Sequence, residues 1–70
     1  MTKTQIKNKL VLSCQWYFKK YGSKLKVGDL VIIKWEERSS IQKQSDKLLG
    51  VTQHHYGKWI SDAYYKFIKL

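Results

Sequence analysis

Proline is absent from this 70-residue chain, and cysteine and arginine occur once each, as Cys14 and Arg38. Without a second cysteine there is no internal disulfide and no thiolate cluster for zinc, so Cys14 is expected to be a small buried hydrophobe. Acids are scarce as well: Asp29, Glu36, Glu37, Asp46 and Asp62 are the full set. Asp29 and Asp62 fit turns, no nucleophile has a base and an orienting partner at a recognisable spacing, and no glycine-rich phosphate loop occurs. The expectation is a protein that is not an enzyme and uses no cofactor. His54 and His55 are adjacent, and neighbours on a strand point to opposite faces, so they are expected to be surface or turn residues rather than metal ligands. The longest apolar runs, Leu10–Leu12 and Leu30–Ile33, fall far short of the ~7–15 residues of a signal-peptide core or the ~20 of a membrane span. A cytoplasmic protein with no membrane partner is expected.

What the chain has in plenty is lysine. Fourteen basic residues against five acids give a net charge of +9. The excess is concentrated: Lys3, Lys7, Lys9, Lys19, Lys20, Lys24 and Lys26 all precede Asp29, the first acid. Such a field favours a polyanionic partner, with nucleic acid first, an acidic protein second and an anionic membrane third. The chain also carries ten aromatic residues, Trp16, Tyr17, Phe18, Tyr21, Trp35, Tyr56, Trp59, Tyr64, Tyr65 and Phe67. A single domain of this size buries only about 60% of its unfolded surface. Large rings must therefore supply much of its core.

Taken in order, residues 1–4 read as a frayed tail with Thr2 or Thr4 available as a helix N-cap. From Gln5 to Tyr21 two periods compete. Helical spacing joins Ile6, Leu10, Cys14 and Phe18, and strand spacing joins Leu10, Leu12, Cys14, Trp16 and Phe18. A basic helix over 5–21 is preferred, because Lys19-Lys20 followed by Gly22 is a good helix stop. Residues 25–70 read as β-rich. Gly28-Asp29 is expected to turn the chain into a central strand, Leu30 to about Glu37, whose core face is Val31, Ile33 and Trp35. Residues 38–47 read as an exposed polar loop, with a helical turn started by Ser39 or Ser40 as its one local structure. Leu48–Gln53 is a second strand with a bulge at Gly50, and His54–Gly57 a turn. Lys58–Ser61 is a third strand, and Tyr64–Leu70 a fourth, with a short helix from Ser61 or Asp62 as the competing reading.

The order Val-Gly-Asp-Leu-Val-Ile-Ile, polar loop, Leu-Gly-Val, Gly-Lys-Trp-Ile and an apolar terminal strand resembles the small SH3-like barrels of the KOW and Tudor-like type over residues 25–70. The resemblance implies an α+β fold, a small SH3-like β-barrel or curled antiparallel sheet with an N-terminal helix. The residues themselves point to a single-domain nucleic-acid-binding protein, gripping RNA or DNA mainly through phosphates. Lysines interleaved with rings suit phosphate neutralisation and base stacking. The contact residues expected are Lys7, Lys19, Lys20, Tyr21, Lys24, Lys26 and Arg38. With one arginine, sequence specificity should be slight. The alternative is a protein-binding module or inhibitor, of the kind found in phages and mobile elements, that covers an acidic surface of a partner protein.

Overall fold

The stretch expected to form the central strand is a helix. In the computed structural model, which describes residues 2–68 without the side chains of Ser23 and Ile68, no strand occurs among the described residues. The elements are α1 (Lys3–Tyr21), a 3₁₀ turn (Gly22–Lys24), α2 (Val27–Glu36), α3 (Ser40–Leu49) and α4 (Gln53–Ile68). The SH3-like barrel and the curled sheet are thereby overturned.

Helix α1 is set by strong local signals at both ends. Thr2 and Gln5 form a capping box: the Thr2 hydroxyl accepts from the Gln5 amide at 3.2 Å, and the Gln5 side chain accepts from the Thr2 amide at 2.8 Å. Met1, the start of the expected tail, lies outside the described residues. At the other end Gly22 takes φ +59°, a conformation an L side chain resists, and its amide closes on the Phe18 carbonyl. Between them Ile6, Leu10, Cys14 and Phe18 are buried at the four-residue spacing of one helix face.

For α2 the β-branched run Val31-Ile32-Ile33 argued for a strand, yet its helical penalty is only a few tenths of a kcal/mol per residue and packing overrides it. Leu30 is fully buried, Val27, Val31 and Trp35 are half-buried, and Ile32 and Ile33 face outward. Ile33, expected in the core, is 40% exposed, because the covered side of α2 extends from Leu30 toward Val27, Val31 and Trp35, and at 100° per residue Ile33 falls on the opposite flank of Leu30. Gly28-Asp29 is no turn: both residues lie in the first turn of α2, where the Asp29 carboxylate complements the helix dipole.

The expected polar loop is α3. Ser39 caps it, its hydroxyl accepting from the Gln42 amide at 3.2 Å. Gly50 closes it in the left-handed conformation, φ +71° and ψ 23°, where a strand bulge was expected. The Val51 amide then donates to the Asp46 carbonyl at 2.8 Å and the Gly50 amide to that of Lys47 at 3.3 Å, a Schellman ending with Val51 buried behind it. The expected turn at His54–Gly57, the strand Lys58–Ser61, the turn at Asp62-Ala63 and the described part of the strand from Tyr64 are all one helix, α4. Lys69 and Leu70 lie outside the described residues. The competing short C-terminal helix named the right conformation but began eight or nine residues late.

The core lies where α1 and α2 both pack on α4. Tyr56, Trp59, Ile60 and Ala63 of α4 meet Ile6, Leu10, Cys14 and Phe18 of α1, with Leu30 and Val51 completing the cluster. Phe18 sits edge-on to Tyr64 at 5.2 Å between ring centroids, and Trp35 edge-on to Tyr56 at the same distance. Cys14 is wholly enclosed, and burial pushes its thiol up to about 11, so it is a core hydrophobe.

Candidate nucleic-acid interface

Two basic surfaces emerge. The first follows the last two turns of α1. Trp16 is edge-on to Tyr17 at 5.0 Å, Tyr17 stacks on Tyr21 at 6.1 Å, and the Lys20 ammonium lies 4.8 Å from the Trp16 ring and 5.5 Å from that of Tyr21. Lys34 of α2 joins from the far side, 5.1 Å from the Tyr17 ring, and pairs with Glu37 at 3.1 Å. Trp16 and Tyr21 are about half exposed, so each offers a stacking face beside a cation.

Of the residues expected from sequence, Lys20 and Tyr21 meet in this cluster. Lys19 is exposed in the same turn of α1, Lys24 ends the 3₁₀ turn and Lys26 precedes α2, each solvent-facing. Lys7 lies apart, on the flank of α1 beside Trp59 and Asp62 of α4. Arg38 faces inward. Its guanidinium lies 3.2 Å from the Trp35 ring centroid, donates from Nε to the Trp35 carbonyl at 2.7 Å and from Nη1 to Asp46 Oδ2 at 2.8 Å.

The second surface was not anticipated, and Asp46 is its anchor. This carboxylate is 1% exposed, and it accepts from Arg38 and, at 3.5 Å, from the Tyr56 hydroxyl. Gln42 donates to the same hydroxyl at 3.2 Å. Burial, with the Asp46 charge second, pushes the Tyr56 phenol up to about 12, which keeps it neutral and able to donate. This network joins α2, α3 and α4 and hides the sole acid of α3. Lys43 and Lys47 flank this network, exposed at the rim of a pocket that they share with Arg38 and Asp46, while the side of α3 opposite Asp46 carries Ile41 and Leu48, 80% and 88% exposed.

The three residues Gly50, Val51 and Thr52 then lead into α4. Thr52 caps it: its carbonyl accepts from the Tyr56 amide at 3.3 Å, while His55 Nδ1 accepts from the Thr52 amide at 3.1 Å. His55 is held below the usual imidazole range by partial burial first and then by the charges of Lys3, His54 and Lys58. With His55 committed to the cap and Tyr56 to the core, Gln53, His54 and Lys58 are left exposed on the first half of α4. The signal for this unit was Leu-Leu-Gly-Val-Thr, a helix stop and a helix N-cap within three residues.

No known protein family, no curated protein and no solved structure matches the chain. No described helix is long and apolar enough to cross a membrane.

Proposed function

We propose that this protein binds duplex DNA, laying the first half of α4 in the major groove while α3 crosses the phosphate backbone. The observation that carries the reading is the α3–Gly50-Val51-Thr52–α4 unit. Two helices joined by a three-residue glycine-containing link, the second with its N-terminal side chains free, have the connectivity of a helix-turn-helix. In that arrangement the N-terminal residues of the second helix reach base edges and the first helix lies over the backbone. Gln53 can serve an adenine edge through its carboxamide, and Lys58 a guanine edge or a phosphate. Lys43 and Lys47 of α3 carry the charge that phosphates need, undiminished because Asp46 is turned inward. Phosphate contacts dominate in a lysine-led interface, so sequence preference is slight and salt dependence steep.

A second reading rests on the Trp16–Lys20–Tyr21 cluster, which suits stacking of unpaired bases on single-stranded DNA or RNA. One experiment separates the two: titration of mixed-sequence duplex DNA, single-stranded DNA and RNA at fixed ionic strength, with the unaltered chain and with His54→Ala/Lys58→Gln. Tighter binding to duplex that the double variant weakens supports the major-groove reading. Preference for single strands that Trp16→Ala removes supports the second. Binding to none of them at ~50 mM salt defeats both and assigns the basic surface to an acidic protein.

A further inference from the structure

Two glycines on helices stand where nothing in the protein asks for a glycine. Gly57 lies inside α4, where glycine costs about 0.5–1 kcal/mol relative to alanine. Its φ is helical rather than left-handed, and a Cβ built there meets no atom within 4 Å. Gly28, in the first turn of α2, is the same: a Cβ there also meets nothing within 4 Å. Neither glycine is explained by a turn or by close packing, and the two line one groove.

That groove, of about 440 Å³, runs between the start of α2 and the first half of α4. Gly28 and Val31 line it from α2, and His54, Gly57, Lys58 and Ser61 from α4. No acid lines it. Its polar groups are an ammonium, an imidazole and a hydroxyl, each able to donate to an anionic oxygen. Glycine is the residue that permits a ligand to approach a backbone closely. We propose that this groove seats one sugar–phosphate strand of the duplex, with Lys58, His54 and Ser61 on a phosphate and Gly57 and Gly28 left bare so that the strand can lie against the helix backbones. The inference rests on the duplex-binding reading and adds to it a second wall, α2, for the bound strand.

Stability and affinity should therefore move in opposite directions. Gly57→Ala fills open space with a better helix former, so the melting temperature of the free protein should rise, while duplex affinity should fall by about tenfold or more. Gly57→Leu, at a half-buried helix position where a Cβ meets no atom within 4 Å, should keep the fold and weaken binding further. Gly28→Ala should weaken binding in the same sense. If the phosphate contact is the one lost, the slope of log affinity against log salt should become shallower by about 1. Gly57→Ala and Gly57→Leu binding duplex as tightly as the unaltered chain would overturn the groove and leave the duplex reading standing. A chain that binds no duplex at all overturns both, and that failure is visible in the unaltered protein alone.

Discussion

Asp46 decides more of the fold than any apolar residue of α3. A carboxylate that is 1% exposed is tolerable only because Arg38 meets it at 2.8 Å and Tyr56 donates to the same oxygen. The other oxygen, Oδ1, has no partner, so the network is incomplete. Removing one member is therefore costly and removing the pair much less so. Asp46→Ala should destabilise by about 3–5 kcal/mol, because the Arg38 side chain is 9% exposed and would be left unpaired. Arg38→Met/Asp46→Leu should recover most of that loss. Urea unfolding of the single and double variants checks this, and a double variant no more stable than Asp46→Ala would show that the pair is not what fixes α3. None of this was legible beforehand. Asp46 and Arg38 stood at the two ends of a polar stretch read as a loop, and only the helix brings them into contact.

At the scale of elements, the ends were easier to read than the middles. The stop at Lys19-Lys20-Tyr21-Gly22 is local chemistry legible in the sequence, and of the caps the sequence offers, Thr2 or Thr4 and Ser39 or Ser40, the structure uses Thr2 and Ser39. Helix α2 is hidden because its β-branched residues suit a strand and are tolerated in a helix, and only tertiary packing decides between them. Helix α4 is hidden in the sequence because Gly50 suits a strand bulge as well as a helix end; as a left-handed cap it ends α3 and frees Thr52 to begin α4. The candidate site followed the fold: the lysines of α1 could be counted, but Gln53, His54 and Lys58 could not be grouped while residues 54–57 were a turn. The start of α4 also carries a pH dependence. His55 Nδ1 accepts from the Thr52 amide only when the ring is neutral at that nitrogen, and its folded pKa lies below the ordinary 6.5. The sign follows: a depressed pKa means the folded state binds the proton less well than the unfolded chain, so the stabilisation is complete above about pH 6.5 and is lost as pH falls below it. Thermal unfolding of the unaltered chain and of His55→Gln across that range should show a smaller acid loss in the variant; equal losses would place the acid sensitivity elsewhere.

For the whole molecule, the net charge of +9 opposes compaction and association with its own kind, and a polyanionic partner, as proposed, would relieve it. Of the four described helices, α1 and α2 build one core on α4, while α3 is held chiefly by polar contacts and has Lys43 and Lys47 exposed beside them. On the proposed reading the exposed side chains of the first half of α4, Gln53, His54 and Lys58, enter the major groove, whose width of about 12 Å admits a helix. The direct measurement is amide chemical-shift mapping during titration with mixed-sequence duplex DNA. The expected result is that the largest changes fall on Gln53 to Lys58 of α4 and on Lys43 and Lys47 of α3, with Trp16 to Tyr21 little affected. Changes confined to Trp16–Tyr21 and Lys34, with the first half of α4 unmoved at saturation, would contradict the major-groove reading.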